Sequence, residues 1–405
     1  MSNVLFLNVP AYGHVNPTLG LVDALVKQGE SVTYFCTDEF KNEIEKTGAH
    51  FISYSKETNP LTKRRKITSE MKIGDFLDQR CEILNSSDAI IKDILDKIKD
   101  LEFDYIIYGA MFPYGNMIAQ ILEIPSISSF AVFATPKELM AQNKGFMDIS
   151  LLKDHPINDI YKEVSKQLKQ SYNVELPSNM LELFFNKGDI NIAYTSKYFV
   201  SHPEYYDNSF IFIGPPIYNR EEDLNFPFEK LQGKKVIYIS LGTVFNNTNS
   251  ELYDIFFRSF ANTEAIVVMA AYNVDLSGFD VPKNFIVRNY VPQSEILKYT
   301  DVAITHAGMN STSDLLYNNV PFVAIPISAD QPYMAGRASE LGATIALDKD
   351  KLTPEILKNS VNEVLTNPSY LENIKKISSS FKQTGGYKRA VEEIFNLKKG
   401  KHILA

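Results

Sequence analysis

Residues 302–316, VAITHAGMNSTSDLL, join a short apolar run to a polar turn and then to a helical pattern. The apolar run predicts a buried strand, and the spacing of Leu315 and Leu316 predicts a helix. A helix that begins directly after a strand directs its free backbone N–H groups and the positive end of its dipole at one point, which favours phosphate. The turn also contains residues that suit phosphate: His306, Gly308, Asn310, Ser311 and Thr312. An ordinary turn capped by Ser311 is the alternative, but it does not explain His306 and Asn310 together.

A second candidate residue, His14, lies in the segment PAYGHVNP at residues 10–17, after an apolar run. Asn16 is predicted to cap a helix, and Pro17 to occupy its first turn. The dipole of this helix disfavours the imidazolium form of a nearby histidine, and a general base must be neutral. The segment therefore predicts a general base. A histidine that only makes a hydrogen bond within a turn is the alternative.

Three more segments follow or lie between predicted strands in the second half of the chain. SLGT at residues 240–243 places a glycine between hydroxyl residues, which suits a terminal phosphate. Asp330 and Gln331 place a carboxylate beside a carboxamide, which suits two neighbouring hydroxyls of a sugar. Tyr290, in the segment YVPQ, can stack on a flat base. Ligands of open α/β sheets bind beyond the carboxyl ends of the strands, so these segments are expected to share one site.

The elements that would position these residues alternate between strands and helices, which predicts parallel sheets covered by helices. The first strand is followed by no G-x-G-x-x-G segment, which argues against a dinucleotide-binding dehydrogenase. Residues 70–101 are predicted to be helical. We predict an α/β fold of two doubly wound, Rossmann-like domains that face each other across a cleft: residues 1–218, a linker at 219–233, residues 234–382, and a C-terminal helix at 383–405 that can pack back on the first domain.

Composition limits the class of protein. The chain has 405 residues, a net charge of −8 and 44% hydrophobic residues, which is typical of a soluble, two-domain protein and argues against nucleic acid as a partner. No apolar run is long enough for a membrane span, and the N-terminus does not resemble a signal peptide. Two cysteines are too few for a disulfide framework, so a cytoplasmic location is expected. The basic run at residues 63–66 is interpreted as a solvated loop rather than a patch for an anionic partner.

Residues 130–185 are irregular and rich in methionine and aromatic residues, which form adaptable apolar walls. Core packing explains most of them, but a pocket for a flat apolar molecule would use the same residue types. The residues expected to contact such a molecule are Tyr12, Met111, Phe112, Phe130 and Phe133.

The segments VPQ, HAGMNSTSD and ADQ, in this order and spacing, resemble the donor-binding signature of family 1 UDP-glycosyltransferases. PAYGHVNP resembles the catalytic-histidine loop of the bacterial macrolide and flavonoid glycosyltransferases in that family. The resemblance covers nearly the whole chain. It implies the GT-B fold, with a small apolar acceptor in the N-terminal domain and a nucleotide sugar in the C-terminal domain.

The resemblance also implies roles for individual residues. Tyr290 takes the position that stacks on uracil, which is usually Trp, and Val291 and Gln293 would contact the base. Asp314 replaces the Glu that binds the ribose hydroxyls. The residues expected to contact the diphosphate are Ser240, Gly242, Thr243, His306, Gly308, Asn310 and Ser311. The residues expected to contact the sugar are Asp330 and Gln331.

The predicted reaction is an inverting transfer of a hexose, most simply glucose from UDP-glucose, to a hydroxyl of a flavonoid, another phenol or a macrolide. His14 would take the proton of that hydroxyl. A helix N-terminus and neutral donors can neutralise the leaving diphosphate, so neither a metal nor another cofactor is expected, and the UDP-sugar is a co-substrate. The oligomeric state is not readable.

One position departs from the family pattern. An Asp that normally hydrogen-bonds the catalytic His is replaced here by Gly109. Either water or another side chain takes its role, or the enzyme favours acidic acceptors such as phenols, or activity is lost; an engineered change at Gly109 also fits. We hypothesise a slower base that works best on hydroxyls of low pKa. The alternatives are a related enzyme that hydrolyses or epimerises a nucleotide sugar, and a catalytically impaired protein that only binds one.

Overall fold

The computed structural model describes residues 1–58, 73–131, 133, 155–218, 225–242, 250–328 and 330–400. The predictions for the basic run at 63–66, for Thr243, for Ala329 and for most of the aromatic-rich stretch therefore lie outside the described residues. Within the described part of the chain, no helix combines the length and the apolar character that a bilayer span requires.

The first sheet has seven parallel strands in the order β3-β2-β1-β4-β5-β6-β7. Most residues of its strands are buried, as expected where helices cover both faces of a sheet. The strands are β1 (Asn3–Leu7), β2 (Ser31–Cys36), β3 (His50–Ser53), β4 (Tyr105–Gly109), β5 (Ser126–Phe130), β6 (Ile190–Ala193) and β7 (Phe210–Phe212).

The helices that accompany this sheet differ from the prediction at two points. The first helix begins at Tyr12 rather than at Asn16, and residues 73–98 form two helices that are interrupted at Ser86. The helices are α1 (Tyr12–Lys27), α2 (Lys41–Glu45), α3 (Ile73–Asn85), α4 (Ser87–Ile98), α5 (Tyr114–Leu122) and α6 (Ile157–Tyr172).

The second sheet has six parallel strands in the order β10-β9-β8-β11-β12-β13. The strand predicted at the start of residues 302–316 is present as Val302–Thr305. The strands of this sheet are β8 (Val236–Ser240), β9 (Ile266–Ala270), β10 (Phe285–Arg288), β11 (Val302–Thr305), β12 (Phe322–Ala324) and β13 (Thr344–Ala346). The helices are α7 (Ser250–Phe260), α8 (Gln293–Ile296), α9 (Met309–Tyr317), α10 (Gln331–Glu340), α11 (Pro354–Thr366), α12 (Pro368–Lys382) and α13 (Gly386–Lys398). Two doubly wound sheets therefore confirm the predicted fold class.

The start of α1 was predicted wrongly because the helix has no side-chain cap. Ala11 is extended, and its carbonyl accepts the N–H groups of His14 and Val15, both at 2.9 Å. Pro17 therefore lies in the second turn. Since proline has no N–H, the carbonyl of Gly13, four residues earlier, lacks its helical donor.

The last helix, α13, crosses from the second sheet to the first. Its predecessor α12 packs against α9, whereas α13 packs against α1. The hydroxyl of Tyr387 donates to the carbonyl of Pro17 at 2.8 Å, and a Cβ on Gly20 would lie 2.3 Å from the Tyr387 ring. A glycine is therefore required where the two helices touch. The exact bounds of the domains stay a prediction.

An ion pair holds the end of α13. Lys398 Nζ lies 2.9 Å from Glu30 Oε2, and the Glu30 side chain is only 3% exposed. The Tyr105 hydroxyl donates to the same carboxylate oxygen at 2.9 Å. A buried carboxylate needs such partners, because an unpaired buried charge is strongly unfavourable.

Lys398→Met is expected to lower the free energy of unfolding by about 2 kcal/mol, because it leaves the Glu30 carboxylate buried without a cation. Adding Glu30→Gln is expected to recover much of this loss. Denaturant unfolding measures both. Lys388→Met is the matched control, since Lys388 on the same helix pairs with Glu392 at 3.9 Å in a surface ion pair that contributes little. Equal losses in the Lys398 and Lys388 variants would contradict the expectation.

Candidate active site

The turn between β11 and α9 presents the backbone groups expected of a phosphate site. Ala307 has a φ of 61° and is fully buried, and Gly308 is the extended residue before the helix. The left-handed residue reverses the chain, so that α9 begins at Met309. The N–H groups of the first turn have no acceptors within the helix. They converge, with the positive end of the helix dipole, on the space beyond β11.

The ring of His306 lies between two glycines. A Cβ on Gly242 would lie 2.6 Å from His306 Nε2, and a Cβ on Gly308 would lie 2.5 Å from it. The main chain of His306 is tied to the neighbouring strand, because its N–H donates to the Ser240 carbonyl at 3.3 Å. Ser240 is buried, and its Oγ accepts the N–H of Gly242 at 3.4 Å. Glycine is therefore required at both positions, because a Cβ at either one would overlap the imidazole ring.

His306 is a neutral donor rather than a cation in this structure. Burial lowers its pKa from 6.5 to about 4. Its Nδ1 is buried and has no hydrogen-bond partner among the described residues. A neutral imidazole donates one hydrogen bond and accepts another. It can therefore contact a diphosphate without contributing a full positive charge.

Asp330 and Gln331 are already engaged with the main chain. Asp330 Oδ2 accepts the N–H of Met309, the first residue of α9, at 3.3 Å, and burial raises the pKa of this carboxyl group. Gln331 is 3% exposed, and its Oε1 accepts the N–H groups of Ile327 and Ser328 at 2.8 and 3.0 Å. The amide oxygen of Gln331 thus holds the loop after β12, so its Nε2 group is the part that remains for a ligand.

Hydrogen bonds link two of the residues that were predicted to contact the base and the ribose. Tyr290 is 41% exposed. Val291 is buried, so its side chain belongs to the core and only its main chain can meet a base. Gln293 Nε2 donates to Asp314 Oδ2 at 2.7 Å, and the Tyr238 hydroxyl donates to Gln293 Oε1 at 3.1 Å. These two hydrogen bonds fix the orientation of the Asp314 carboxylate.

The structure brings His14 and the turn of α9 together. Asn310 Nδ2 donates to the carbonyl of Gly13 at 3.4 Å. This carbonyl is the one that lacks its helical donor because of Pro17. His14 is the third residue of α1, directly after Gly13. The two segments that were singled out from the sequence, almost 300 positions apart, therefore face a common space.

Gly109, where the family pattern has an Asp, lies beside a residue that the sequence analysis did not identify. A Cβ on Gly109 would lie 2.4 Å from Asn8 Oδ1. Asn8 is fully buried, and its Nδ2 donates to the carbonyl of His14 at 3.0 Å and to the Tyr34 hydroxyl at 2.8 Å. A polar residue at the end of an apolar strand was the signal that could have revealed it.

Three of the five residues predicted to contact the acceptor are buried. Phe112 and Phe130 are 0% exposed, and Phe133 is 2% exposed. Their rings pack on other aromatic rings: Phe112 on Tyr54 and Tyr114, Phe130 on Phe210, and Phe133 on Tyr333. Tyr12, at 38% exposure, and the partly buried Met111 are more accessible. The contact of these five residues with an acceptor stays a prediction.

The described residues contain no cluster of three or more His, Cys, Asp or Glu side chains that could hold a metal ion.

His306 makes the stability of the protein depend on pH in a defined window. Below pH 6.5 the unfolded chain protonates this histidine, whereas the folded chain does so only near pH 4. Its contribution to stability is therefore present above pH 6.5 and is lost as the pH falls towards 4, by about 3 kcal/mol. Between pH 6.5 and 4, the free energy of unfolding of His306→Gln is therefore expected to fall by about 3 kcal/mol less than that of the unaltered protein. Urea unfolding at several pH values measures both. Parallel pH curves for the two proteins would refute the assignment.

Comparison with known proteins identifies the family. The family described as UDP-glucoronosyl and UDP-glucosyl transferase matches residues 219–385. The uncharacterized UDP-glucosyltransferase YdhE of Bacillus subtilis (strain 168) is 36% identical over 98% of each chain. The NDP-glycosyltransferase YjiC of Bacillus licheniformis is 33% identical over 97% of this chain and 96% of that protein.

Solved structures agree on the fold. The glycotransferase of kitacinnamycin superposes with a TM-score of 0.82 over 98% of this chain and 99% of that one, at 23% identity. The resemblance that the motifs indicated is thus confirmed by similarity along the whole chain. The chain belongs to the family 1 UDP-glycosyltransferases and is a glycosyltransferase with the GT-B fold.

Proposed function

We propose that the enzyme transfers a hexose, most simply glucose from UDP-glucose, with inversion to a hydroxyl of a small apolar acceptor such as a flavonoid, another phenol or a macrolide. The observation that carries this proposal is the contact between Asn310 and the Gly13 carbonyl. It sets the first turn of α9, where a diphosphate would bind, against the turn of α1 that contains His14.

The donor half of the proposal rests on the second sheet. The N–H groups of Gly308, Asn310 and Ser311 and the imidazole of His306 would donate to the diphosphate. Tyr290 would stack on uracil, and the oriented carboxylate of Asp314 would accept from the ribose. Asp330 and the Nε2 group of Gln331 would contact the sugar. Donors that are fixed before the ligand arrives stabilise a leaving diphosphate without reorganisation, so no metal is required in this proposal.

The acceptor half rests on His14. Its imidazole would take the proton of the acceptor hydroxyl while that oxygen attacks the anomeric carbon from the side opposite UDP. The bond between the acceptor oxygen and the anomeric carbon forms as the bond to the diphosphate oxygen breaks. UDP leaves with the electron pair of the broken bond, and the configuration at the anomeric carbon inverts.

Gly109 favours acidic acceptors in this proposal. In the family pattern, an Asp at this position stabilises the imidazolium that forms during transfer, and a glycine cannot supply that negative charge. Phenols lose their proton more easily than alkyl alcohols and depend less on the strength of the base. The same glycine supports a second candidate, a protein that binds a nucleotide sugar but turns it over poorly or not at all.

His14→Ala is expected to lower the rate of UDP release from UDP-glucose by about 10²- to 10⁴-fold with a phenolic acceptor, because it removes the general base. The affinity for UDP should stay unchanged, since the donor contacts lie on the second sheet. A UDP-release assay with several UDP-sugars against a panel of phenols measures the rate, and calorimetry measures the affinity.

His50→Ala is the control for this experiment, because His50 is an exposed histidine on β3 of the same sheet. It is expected to keep the full rate. If His14→Ala also keeps the full rate, the assigned base is wrong. If the unaltered enzyme binds UDP but releases none with any acceptor, the second candidate replaces the first.

Tyr290→Ala is expected to weaken UDP binding about tenfold, because stacking between a base and an aromatic ring contributes about 1–3 kcal/mol. Tyr290→Phe should bind UDP nearly as well as the original, since the ring face is kept. Titration calorimetry with UDP provides the comparison. Tyr198→Ala serves as control, because Tyr198 is exposed to a similar degree, 48%, but lies outside the proposed site. Equal affinities of the Ala variants would argue against stacking at Tyr290.

A further inference from the structure

Helix α10 is bound to both sheets. At its start, Asp330 Oδ2 accepts the N–H of Met309 in the first turn of α9. Further along, Tyr333 and Arg337 contact residues 198–201, which follow β6 of the first sheet. The helix that begins with the residues assigned to the donor sugar is therefore attached, within its first two turns, to the opposite half of the chain.

The Arg337 guanidinium makes two of these contacts. Its Nε donates to the Phe199 carbonyl at 2.7 Å, and its Nη2 donates to the Tyr198 carbonyl at 3.0 Å. Its Nη1 lies 2.8 Å from Glu340 Oε2 on the same helix, and the side chain is mostly buried. Hydrogen bonds from a charged donor are about twice as strong as those between neutral groups. Arg337 therefore attaches α10 firmly to the main chain of residues 198–199.

Tyr333 adds a polar and an apolar contact. Its side chain is buried, and its hydroxyl accepts the N–H of Ser201 at 3.2 Å and the Ser201 hydroxyl at 3.0 Å. Its ring packs on Phe133, which follows β5 of the first sheet. Because these groups are buried, water competes little for the hydrogen bonds. Two neighbouring strands of the first sheet thus lead into contacts with one side chain of α10.

The residues that α10 contacts are themselves held by both cores. Phe199 is buried in the core of the second sheet, where its ring centroid lies 5.6 Å from that of Phe381. The next residue, Val200, is buried in the core of the first sheet. The N–H groups of both residues donate to the Ser196 carbonyl, at 3.0 and 3.3 Å, which fixes the turn. This turn cannot shift relative to either sheet without exposing an apolar side chain.

The direct contact between the turns of α1 and α9 is weaker than these. Asn310 Nδ2 donates to the Gly13 carbonyl at 3.4 Å, and the bond is exposed to water. A long hydrogen bond between neutral, solvated groups contributes little free energy. The turn of α9 is in turn joined to α10 through Asp330. The distance across the site therefore depends on how α10 is attached to the first sheet.

We propose that Tyr333 and Arg337 are positioning residues for sugar transfer. By binding residues 198–201, they hold the start of α10, and with it the donor sugar, at the correct distance from His14. A helix transmits such a constraint because it moves as a rigid element. This inference rests on the proposed function, in which Asp330 and Gln331 contact the sugar.

Arg337→Met combined with Tyr333→Phe tests the positioning role. The two substitutions remove the hydrogen bonds to residues 198–201 but keep most of the apolar packing. With saturating UDP-glucose and a phenolic acceptor, kcat is expected to fall by about 10- to 100-fold, since a misplacement of about 1 Å has an effect of this size. The dissociation constant of UDP, measured by calorimetry, should stay within about twofold, because the proposed UDP contacts lie in the second half of the chain. An unchanged affinity also verifies that the variant is folded.

The products give a readout that a loss of stability alone does not change. In an aligned site, the glucose of each UDP-glucose consumed appears as the glucoside of the phenol. Where the sugar is held away from the phenol, water takes the place of the acceptor and yields free glucose and UDP. The ratio of free glucose to glucoside, measured by chromatography, is therefore expected to rise severalfold in the double variant. An enzyme that is only less stable would lose both products in proportion.

Glu340→Gln and Lys398→Met are the matched controls. Glu340→Gln removes the ion pair of Arg337 within α10 but keeps its two bonds to residues 198–199. Lys398→Met breaks a different contact between the two halves, at Glu30. Glu30 directly precedes β2, so this contact lies at the edge of the sheet opposite the site. Both controls are expected to keep kcat within about twofold and the product ratio unchanged, at a temperature where all variants are folded.

The proposal is overturned if the double variant of Tyr333 and Arg337 keeps the original kcat and product ratio. It is also overturned if kcat falls to the same extent in Lys398→Met with no change in product ratio, because the two residues then only stabilise the fold.

The outcomes separate this proposal from the proposed function. If the unaltered enzyme releases no UDP with any acceptor, the proposed transfer is wrong and the role of α10 falls with it. If His14→Ala is inactive but the double variant is fully active, the proposed transfer stands and only the positioning role of Tyr333 and Arg337 is lost.

Discussion

The first turns of α1 and α9 carry backbone groups that no hydrogen bond within a helix can satisfy, and the site follows from how these groups are paired. At α1, Pro17 frees the carbonyl of Gly13, which accepts from Asn310 of the other turn. At α9, the N–H of Met309 is bound by the Asp330 carboxylate. In the proposed function, the remaining N–H groups of that turn donate to the diphosphate. Backbone groups that lack a partner within their helix thus account for the hydrogen bond between the two halves of the chain and for the polar groups that face the space between them.

The electrostatics of the donor side depend on dipoles more than on full charges. His306 is neutral above pH 4, and burial raises the pKa of the nearby Asp330 carboxyl group. A chain with a net charge of −8 does not attract a diphosphate by its overall field. Attraction must come from fixed N–H groups and from the helix dipole at short range, where little water screens them. The close packing of Gly242 and Gly308 on the imidazole is therefore a condition for binding as well as for folding.

The sheets could be predicted from the sequence, because buried parallel strands are short apolar runs with clear ends. The start of α1 could not, since Asn16 and Pro17 carry the usual signs of a helix start, whereas the actual start depends on Ala11 and on contacts to Asn8 from outside the helix. Phe112, Phe130 and Phe133 are buried, and residue type alone does not reveal this. The donor residues were found because they are contiguous in sequence, whereas Asn8 and Gly109 are related only through strand register.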